Sequence, residues 1–385
     1  MADIASIELI EKLIQFDTTS YKSNLELIEF VRDYLLSFGV ESQLVYNPEQ
    51  SKANLYATIG PQDKPGVMLS GHTDVVPVTG QNWHTDPFTV VEKDGLLYGR
   101  GTADMKSFIA IALAFVPEMQ RANLTTPIHL AFSFDEEIGC VGVRHLLTMM
   151  EDMPLRPAMC IVGEPTSMQV VNAHKGKLAH RVTVNGLEAH SSLPHIGVNA
   201  VDYAAELVVF IRRLAQDLAE QGPFEEGFEV TYTTLHTGKI AGGTALNIVP
   251  KQCTFDFEIR NIPGQDPQPL FERIQQFAIT ELEPQMKKLD ASCGFEFEQL
   301  SGYPGMFTPA DAEVVNFVQS LSDVQGLKKI TFGTEGGLFT QRLGIPTVVC
   351  GPGNIEQAHK PNEFIAVDQV AAMNAFMRRL IAALS

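Results

Sequence analysis

The first 165 residues of the chain alternate between two spacings of apolar residues. Residues 3–16 and 24–38 repeat apolar positions every three or four residues, which predicts amphipathic helices. Short continuous apolar runs elsewhere predict buried strands. The predicted strands are 67–72, 128–134 and 158–165, and the further predicted helices are 107–120, with Pro117 near its end, and 142–150. This alternation predicts a largely parallel sheet with helices on both faces.

The pattern changes between residues 177 and 300. The order there is strand, helix, strand, strand, helix, strand, which is typical of a split β-α-β, ferredoxin-like unit. The predicted segments are 177–186, 199–218, 229–238, 252–260, 269–289 and 294–300, after which the α/β alternation resumes with 310–321, 344–353 and 367–384. The simplest interpretation is an α/β catalytic domain, 1–176 and 301–385, interrupted by an inserted α+β domain, 177–300, because insertions at surface loops are tolerated.

Composition narrows the class of protein. The 385 residues include 28 basic and 46 acidic side chains, which gives a net charge of −18. This acidic balance argues against a general nucleic-acid or anionic-membrane binder, and it does not oppose a cationic substrate. Five scattered cysteines without a C-x-x-C pair predict reduced, buried thiols. The N-terminal segment predicts a helix rather than a secretory signal, and the longest apolar run, 108–116, is too short to span a bilayer. We therefore expect a cytoplasmic protein without membrane attachment.

Histidines and acids stand where the predicted strands end. In open α/β sheets, ligands bind outside the carboxyl ends of the strands. The residues concerned are His72 and Asp74 after the first strand, Asp135, Glu136 and Glu137 after the second, Glu164 after the third, His359 after the segment 344–353, and Asp104 in the loop before the helix at 107. Adjacent carboxylates repel one another unless a cation lies nearby, although a solvated turn that caps the next helix is an alternative for 135–137.

Two imidazoles and three carboxylates suit zinc or a similar divalent ion. A carboxylate that bridges two ions would make the site dinuclear, with the metals roughly 3.5–4 Å apart. We predict Asp104 as the bridge, since its loop is flanked by glycine. Motifs of other enzyme classes, G-x-S-x-G, H-E-x-x-H and G-x-x-x-x-G-K-[ST], do not occur in the sequence.

Six stretches, in this order, carry a specific resemblance: SGHTDVVP, GRGTADMK, FSFDEEIG, VGEPT, EAHSS and AHKPNEF. Together they resemble the dinuclear zinc amidohydrolase and peptidase family of acetylornithine deacetylase, succinyl-diaminopimelate desuccinylase and carboxypeptidase G. The resemblance covers essentially the whole chain, and it implies that the inserted domain is a lid and dimerisation domain. It implies two Zn²⁺ ions per chain, with Co²⁺ as an alternative metal.

The resemblance also implies a ligand set. One metal would be held by His72 and Glu164 and the other by Glu137 and His359, with Asp104 bridging them and a cis peptide bond following Asp104. Asp74 would hydrogen-bond the imidazole of His72 and fix its tautomer. Glu136 would be the general base that takes the proton from the attacking water and passes it to the leaving amine. Asp135 has no assigned role beyond orienting its neighbours or capping.

Four further residues are candidates on the substrate side. His190, in the insert, is implied to reach the metals from a neighbouring subunit and to donate to the oxyanion, the alternative being a turn histidine. Asn247 and Arg260 are interpreted as substrate-binding donors, with Arg260 as a fork for an α-carboxylate or, alternatively, part of a surface ion pair. Glu335, in a glycine-rich turn, is predicted to face a cationic amine of the substrate, the alternative being a helix cap.

The expected reaction is metal-dependent hydrolysis of the N-acyl amide of a small amino acid by a homodimer joined through the insert. Residues 334–364 look most similar to acetylornithine deacetylases, which implies release of ornithine and acetate from N2-acetylornithine in arginine biosynthesis. A desuccinylase, an aminoacylase and a carboxypeptidase or dipeptidase with the same two-metal site are alternatives. A binding protein without catalysis on this fold is an alternative of another class, and its mark would be a lost ligand or base.

Overall fold

The computed structural model describes residues 3–385, which form eleven α-helices and sixteen strands. The helices are α1 Ile4–Ile14, α2 Leu25–Ser37, α3 Lys106–Ala114, α4 Val116–Arg121, α5 Val143–Glu151, α6 Ala200–Gln221, α7 Gln268–Phe277, α8 Glu283–Met286, α9 Glu313–Leu321, α10 Gly336–Leu343 and α11 Val367–Leu384. The strands are β1 Ser42–Tyr46, β2 Ala53–Ile59, β3 Val67–His72, β4 Val91–Lys93, β5 Leu96–Tyr98, β6 Ile128–Ser133, β7 Met159–Val162, β8 Val170–His174, β9 Lys177–Asn185, β10 Thr234–Gly242, β11 Gln252–Arg260, β12 Gly294–Tyr303, β13 Met306–Phe307, β14 Leu327–Ile330, β15 Thr347–Val349 and β16 Phe364–Ala366.

The chain divides into two compact units. The first unit comprises the residues up to His174, Met306–Ile330 and Thr334–Ser385. The second unit comprises Lys175–Gly305 and Thr331–Gly333, and therefore includes all of the segment 177–300.

The main sheet of the first unit has the strand order β1-β2-β6-β3-β7-β15-β8-β13, with β14 beside β8. The central ladders β6–β3, β3–β7 and β7–β15 are parallel, as predicted, whereas β1–β2, β2–β6 and β8–β13 are antiparallel. Every residue of β3 and β6 is buried, which is expected where helices cover both faces of a sheet. A second, small sheet has the order β16-β5-β4.

The predicted helix at 107–120 is two helices in the structure, α3 and α4. Every residue of α3 except the last, Ala114, is buried, and α1 and α11 pack against it. The chain turns at Phe115, and Pro117 lies at the second position of α4. Proline is tolerated there because a first-turn N–H has no partner inside the helix. Our prediction of a single helix was therefore wrong: Pro117 begins a helix rather than ending one.

The second unit is a four-stranded antiparallel sheet in the order β10-β11-β9-β12, covered by α6 and α7. This is the strand order of the predicted split β-α-β unit. Alternate residues of β11 are buried against the helices, as a strand with one covered face requires. Asn199 caps α6 by accepting hydrogen bonds from the backbone of Val201 and Asp202. The strand predicted at 229–238 lies further along, and the helix predicted at 269–289 is divided by a π-helical turn, Ala278–Leu282.

All five cysteines are buried and free, as the sequence predicts. Among residues 3–385, none of the helices combines the length and the apolar composition that crossing a bilayer demands.

Candidate metal centre

Three of the predicted ligands follow neighbouring parallel strands of the first unit. His72 is the last residue of β3, Glu137 follows the end of β6, and Glu164 follows the end of β7. Because β3 lies between β6 and β7, the three strand ends share one edge of the sheet. Two loops complete the group, with Asp104 just before α3 and His359 before β16. The structure thus brings the five predicted ligands together within one unit.

Asp104 stands between the two imidazoles. Its Oδ1 lies 3.0 Å from His72 Nε2, and its Oδ2 lies 3.2 Å from His359 Nε2. The peptide bond between Asp104 and Met105 is cis, which the resemblance implied. A carboxylate whose two oxygens face different imidazoles can contact two cations at once, which is what a bridging ligand requires.

Each imidazole has a second carboxylate beside it. His72 Nε2 lies 3.5 Å from Glu164 Oε1, and His359 Nε2 lies 3.0 Å from Glu137 Oε2. The other oxygen of Glu137, Oε1, is buried and has no hydrogen-bond partner among residues 3–385. An unpaired buried carboxylate oxygen is costly, so this donor set fits cations placed among the side chains.

The carboxylates of this cluster repel one another. Burial and the charge of Asp104 raise the pKa of Glu137 to about 7, although His359 opposes the shift. Burial and the charge of Asp104 also raise the pKa of Glu164 well above its ordinary value. Burial acts in the same direction on Asp104, but hydrogen bonds with His359 and His72 hold its pKa below the ordinary value. Divalent cations are the charges that would neutralise such a group.

The imidazoles respond in the opposite sense. Burial would lower the pKa of His72, but the charge of Glu164 and hydrogen bonds to Asp104 and Asp74 hold it well above its ordinary value. Hydrogen bonds with Asp104 and Glu137 raise the pKa of His359 to about 10. Both histidines therefore face negative charge from two sides, the environment in which a metal ligand is held.

Glu136 adjoins this cluster from the position before Glu137. One carboxylate oxygen of Glu136 and ligand atoms of His72 and Glu164 all lie within 4.8 Å of one another. Cys140 Sγ donates to Glu136 Oε1 at 3.3 Å. Burial raises the pKa of Glu136 to about 8 with the help of neighbouring carboxylates, against the charge of His72. A carboxyl group in this range can take up and release a proton near neutral pH, as a general base must.

Asp74 contacts both His72 and the turn that carries Glu136 and Glu137. The nearest acceptor to His72 Nδ1 is the backbone carbonyl of Asp74, at 2.9 Å, and the carboxylate Oδ1 lies at 3.4 Å. The carboxylate itself accepts from the backbone N–H groups of Glu136 and Glu137, at 3.0 and 3.2 Å, and from Ser20 Oγ at 2.9 Å. Asp74 therefore orients the imidazole and also fixes the turn that carries Glu136 and Glu137, a second role that the sequence did not indicate.

Asp135, the first of the three adjacent acids, forms an ion pair with Lys52. The side chains are 11% and 12% exposed, respectively, and Lys52 Nζ also donates to the backbone carbonyl of Ser20. Asp135 has a positive φ of 53°, which turns the chain sharply after β6. No partner for Asp135 is predicted from the sequence, because Lys52 lies just before β2, 83 positions away, and the local pattern does not reveal that the two segments meet.

Glu335 lies inside the first unit rather than on its surface. It is 1% exposed and accepts hydrogen bonds from Ser70 Oγ at 2.5 Å and Ser133 Oγ at 2.7 Å. Burial raises its pKa although both hydroxyls oppose the shift. It occupies the N-cap position of α10, but its side chain makes no capping hydrogen bond, so the alternative of a side-chain cap is wrong. The two serines stand on β3 and β6, so Glu335 joins the strand ends that carry His72 and the acidic turn.

The remaining candidates belong to the second unit and have local partners there. His190 is exposed, and its Nδ1 lies 2.7 Å from Ser192 Oγ. Asn247 is also exposed. Arg260 pairs with Glu258, at 3.0 Å, and donates to Tyr303 Oη, at 3.0 Å. These contacts are those of a turn histidine and of an ion pair, the alternatives left open for His190 and Arg260.

The fold and the residues of this cluster define a class of protein. The α/β sheet with imidazoles and largely buried carboxylates gathered at its strand ends fits a metal-dependent amidohydrolase, the class that the family and the curated relatives indicate. The sequence profile of "Peptidase family M20/M25/M40" matches residues 68–383. The chain belongs to this family.

Curated relatives match over nearly the full length. An acetylornithine deacetylase of Pasteurella multocida is 34% identical over 361 residues, covering 94% of this chain and 91% of that protein. An acetylornithine deacetylase of Proteus mirabilis is 34% identical over 384 residues, covering 97% of this chain and 95% of that protein. The similarity therefore extends through both units.

Solved structures share the fold. A metallo-carboxypeptidase of the M20 family from Sulfolobus solfataricus superposes with a TM-score of 0.78 at 19% identity, covering 98% of each chain. A Bacillus subtilis protein described as a dinuclear metal-binding peptidase of the M20 family superposes with a TM-score of 0.67 at 15% identity, covering 98% of this chain and 97% of that one. At these identities the comparison establishes the architecture.

Proposed function

We propose that this protein hydrolyses N2-acetylornithine to ornithine and acetate, the deacetylation that serves arginine biosynthesis, with two zinc ions per chain and cobalt as a functional substitute. The observation that carries the proposed chemistry is Asp104, whose two oxygens face His72 and His359. The substrate is proposed because several relatives of 34% identity are named acetylornithine deacetylases.

The proposed division of labour follows from these positions. His72 and Glu164 would hold one ion, Glu137 and His359 the other, and Asp104 both. Bound ions of this kind polarise a carbonyl and make water more acidic.

Glu136 is proposed to accept the proton of the attacking water and to deliver it to the nitrogen of the leaving amine. Its position beside the ligands, with an elevated pKa, supports this role. Asp74 would keep His72 in one tautomer and would hold the backbone of Glu136 in place through its N–H group.

The second unit is proposed to supply the substrate contacts and the dimer interface. His190 would donate to the oxyanion of a neighbouring subunit, and Asn247 and Arg260 would bind polar groups of the substrate, with Arg260 on its α-carboxylate. The edge strand β10 and the turn after it expose Ile240, 52%, and Leu246 completely, which supports a homodimer formed through this unit. The proposed location is the cytoplasm, in keeping with five free buried thiols.

A substrate panel with defined metal content tests the proposal. Protein stripped with a chelator and reloaded with Zn²⁺ or Co²⁺ is expected to bind two ions per chain and to release ornithine from N2-acetylornithine. Removing the metal again should abolish the activity. The panel also contains N-succinyl-diaminopimelate, N-acetylmethionine and a dipeptide.

Each contrary outcome identifies a different error. A higher kcat/KM for one of the other three compounds would show that the proposed substrate is wrong and that metal-dependent amide hydrolysis is right. Two bound ions without turnover of any compound would favour a binding protein on this fold, and a chain that binds no divalent ion would overturn the metal centre itself.

A further inference from the structure

Glu363 is a buried carboxylate with no part in the proposed reaction. Its side chain is 1% exposed. One oxygen, Oε1, accepts hydrogen bonds from the backbone N–H groups of Gly101, Ala103 and Asp104, at 3.0, 2.9 and 3.1 Å. Three amides on one oxygen fix the path of the loop that delivers Asp104 to the cluster.

Arg100 pairs with the other oxygen of Glu363. Its Nη1 donates to Glu363 Oε2, and the Arg100 side chain is also 1% exposed. Its Nη2 donates to Gln81 Oε1 at 2.7 Å, and its guanidinium lies 5.2 Å from the ring centroid of Trp83. The guanidinium is thus held by a carboxylate, an amide and an aromatic face.

The same network reaches the loop of His359. Gln81 Nε2 donates to the backbone carbonyl of His359 at 2.9 Å, and Arg100 Nη1 lies 3.4 Å from the carbonyl of Lys360. Asp104 and His359 lie 255 positions apart in the sequence, yet one ion pair contacts the backbone that carries each of them.

We infer that Arg100 and Glu363 are positioning residues that hold the loops of Asp104 and His359 in one frame, so that the bridging carboxylate and the second imidazole are already placed when metal arrives. This inference rests on the proposed metal centre. Groups outside the ligand set that orient the ligands commonly change metal affinity 10- to 100-fold.

Stability alone does not account for this arrangement. A buried ion pair contributes little net stability compared with apolar side chains of the same volume, because both charges lose their hydration. The pair instead orients two segments of the chain. Glu363 is a fixed acceptor for three backbone amides of the Asp104 loop, and Arg100 donates a hydrogen bond to Gln81.

Metal affinity, measured by competition with a chromophoric chelator, tests the inference. Glu363→Gln is expected to weaken both binding steps by about 10- to 100-fold, because Asp104 contributes to both ions. Gln81→Ala is expected to weaken only the step that depends on His359, and by less. Asp323→Asn is the matched control, since Asp323 forms an exposed two-bond pair with Arg379 in the same unit. The control should bind both ions like the wild type.

A second variant guards against unfolding of the first. Because Glu363→Gln leaves the charge of Arg100 buried, the double variant Arg100→Met/Glu363→Gln removes both charges. Circular dichroism and the Tm of the chelated protein report whether each variant folds. At a saturating metal concentration, the kcat of both variants is expected to return toward the wild-type value, because their defect lies in metal affinity. A purely structural defect would leave kcat low at any metal concentration.

The outcomes separate the inference from the proposed function. Wild-type affinity in folded Glu363→Gln or in the double variant would overturn the inference, as would an equal loss in Asp323→Asn. Wild-type protein that binds two ions but hydrolyses no amide would overturn the proposed function while the affinity comparison still decides this inference. Wild-type protein that binds no divalent ion would overturn both.

Discussion

The two units present their candidate residues in contrasting ways. In the first unit, His72, Asp104 and Glu164 are each at most 5% exposed, and the His72 ring contacts both carboxylates. His359, although 54% exposed, contacts Asp104 and Glu137. In the second unit, His190 and Asn247 are exposed and Arg260 is engaged with Glu258 and Tyr303. The first unit therefore holds a formed cluster, while the second offers side chains with only local partners.

The two units therefore differ in how far their own structure determines the roles of their side chains. Largely buried carboxylates grouped beside imidazoles fit bound cations, so the chemistry proposed for the first unit follows from the energetics of its own side chains. Exposed side chains are stable in water with or without a partner, so their roles depend on a substrate or a second subunit. Three substitutions, ordered by expected effect, test whether the contrast is real.

The largest effect is expected from Glu136→Gln. Removing the proton acceptor should lower kcat by about 10²- to 10⁴-fold. Metal content, measured by elemental analysis, should remain at the wild-type value because Glu136 is not among the proposed ligands. The exposed Glu92 provides a control, and Glu92→Gln should be neutral. Full activity in a Glu136→Gln variant with normal metal content would refute the base assignment.

His190→Ala is expected to reduce kcat by about 10²- to 10³-fold with little change in KM, as loss of an oxyanion donor does. The neighbouring exposed His195 is the control, and His195→Ala should retain activity. An equal effect of both substitutions would leave His190 as a turn residue.

Mixing the Glu136→Gln and His190→Ala proteins sharpens this test. If His190 acts across a dimer, subunit exchange should restore about a quarter of the wild-type activity, since half of the dimers are hybrids with one complete site each. No recovery after verified exchange would place His190 in the site of its own chain, or outside it.

The smallest effect is expected from Glu335→Gln. If Glu335 receives the cationic amine, KM for N2-acetylornithine should rise about tenfold and KM for N-acetylmethionine should stay within about twofold, because a charge-assisted hydrogen bond is lost only for the cation. The bonds from Ser70 and Ser133 predict a competing result, in which both substrates are affected equally and Tm falls. Ser133→Ala, which removes one of these bonds and no charge, separates the two results.

Much of the first unit follows from local pattern. Parallel, buried strands have nearly continuous apolar sequences, and polar residues after such a run indicate the end of the strand. Strand β3 ends at His72, where the sequence predicts it. The convergence of His72, Glu137 and Glu164 then follows from the parallel order of β6, β3 and β7. The fold and the positions of these candidate ligands can be predicted from the sequence because the same physical rule, burial of the strand, determines both.

The missed features all depend on pairing between distant segments. Lys52 precedes an antiparallel strand, β2, and nothing in its neighbourhood indicates that it meets Asp135. Ser70 and Ser133 lie within apolar strands, where the sequence shows only small polar residues and not the carboxylate of Glu335 between them. Such contacts are set by tertiary packing, which local periodicity does not encode.

The bridging of His72 and His359 by Asp104 has a consequence for how the protein is made. These histidines are 287 positions apart, so a ribosome adding 5–20 residues per second produces the second imidazole roughly 15–60 s after the first. Throughout that interval the acidic strand ends exist without their full ligand set. What can form early is the part that needs only the first 140 residues: the Lys52–Asp135 pair and the bonds of Asp74 to the acidic turn. The order of synthesis thus separates an early set of contacts, which pairs Asp135 with Lys52 and fixes the turn of Glu136 and Glu137, from the later arrival of His359, a proposed metal ligand.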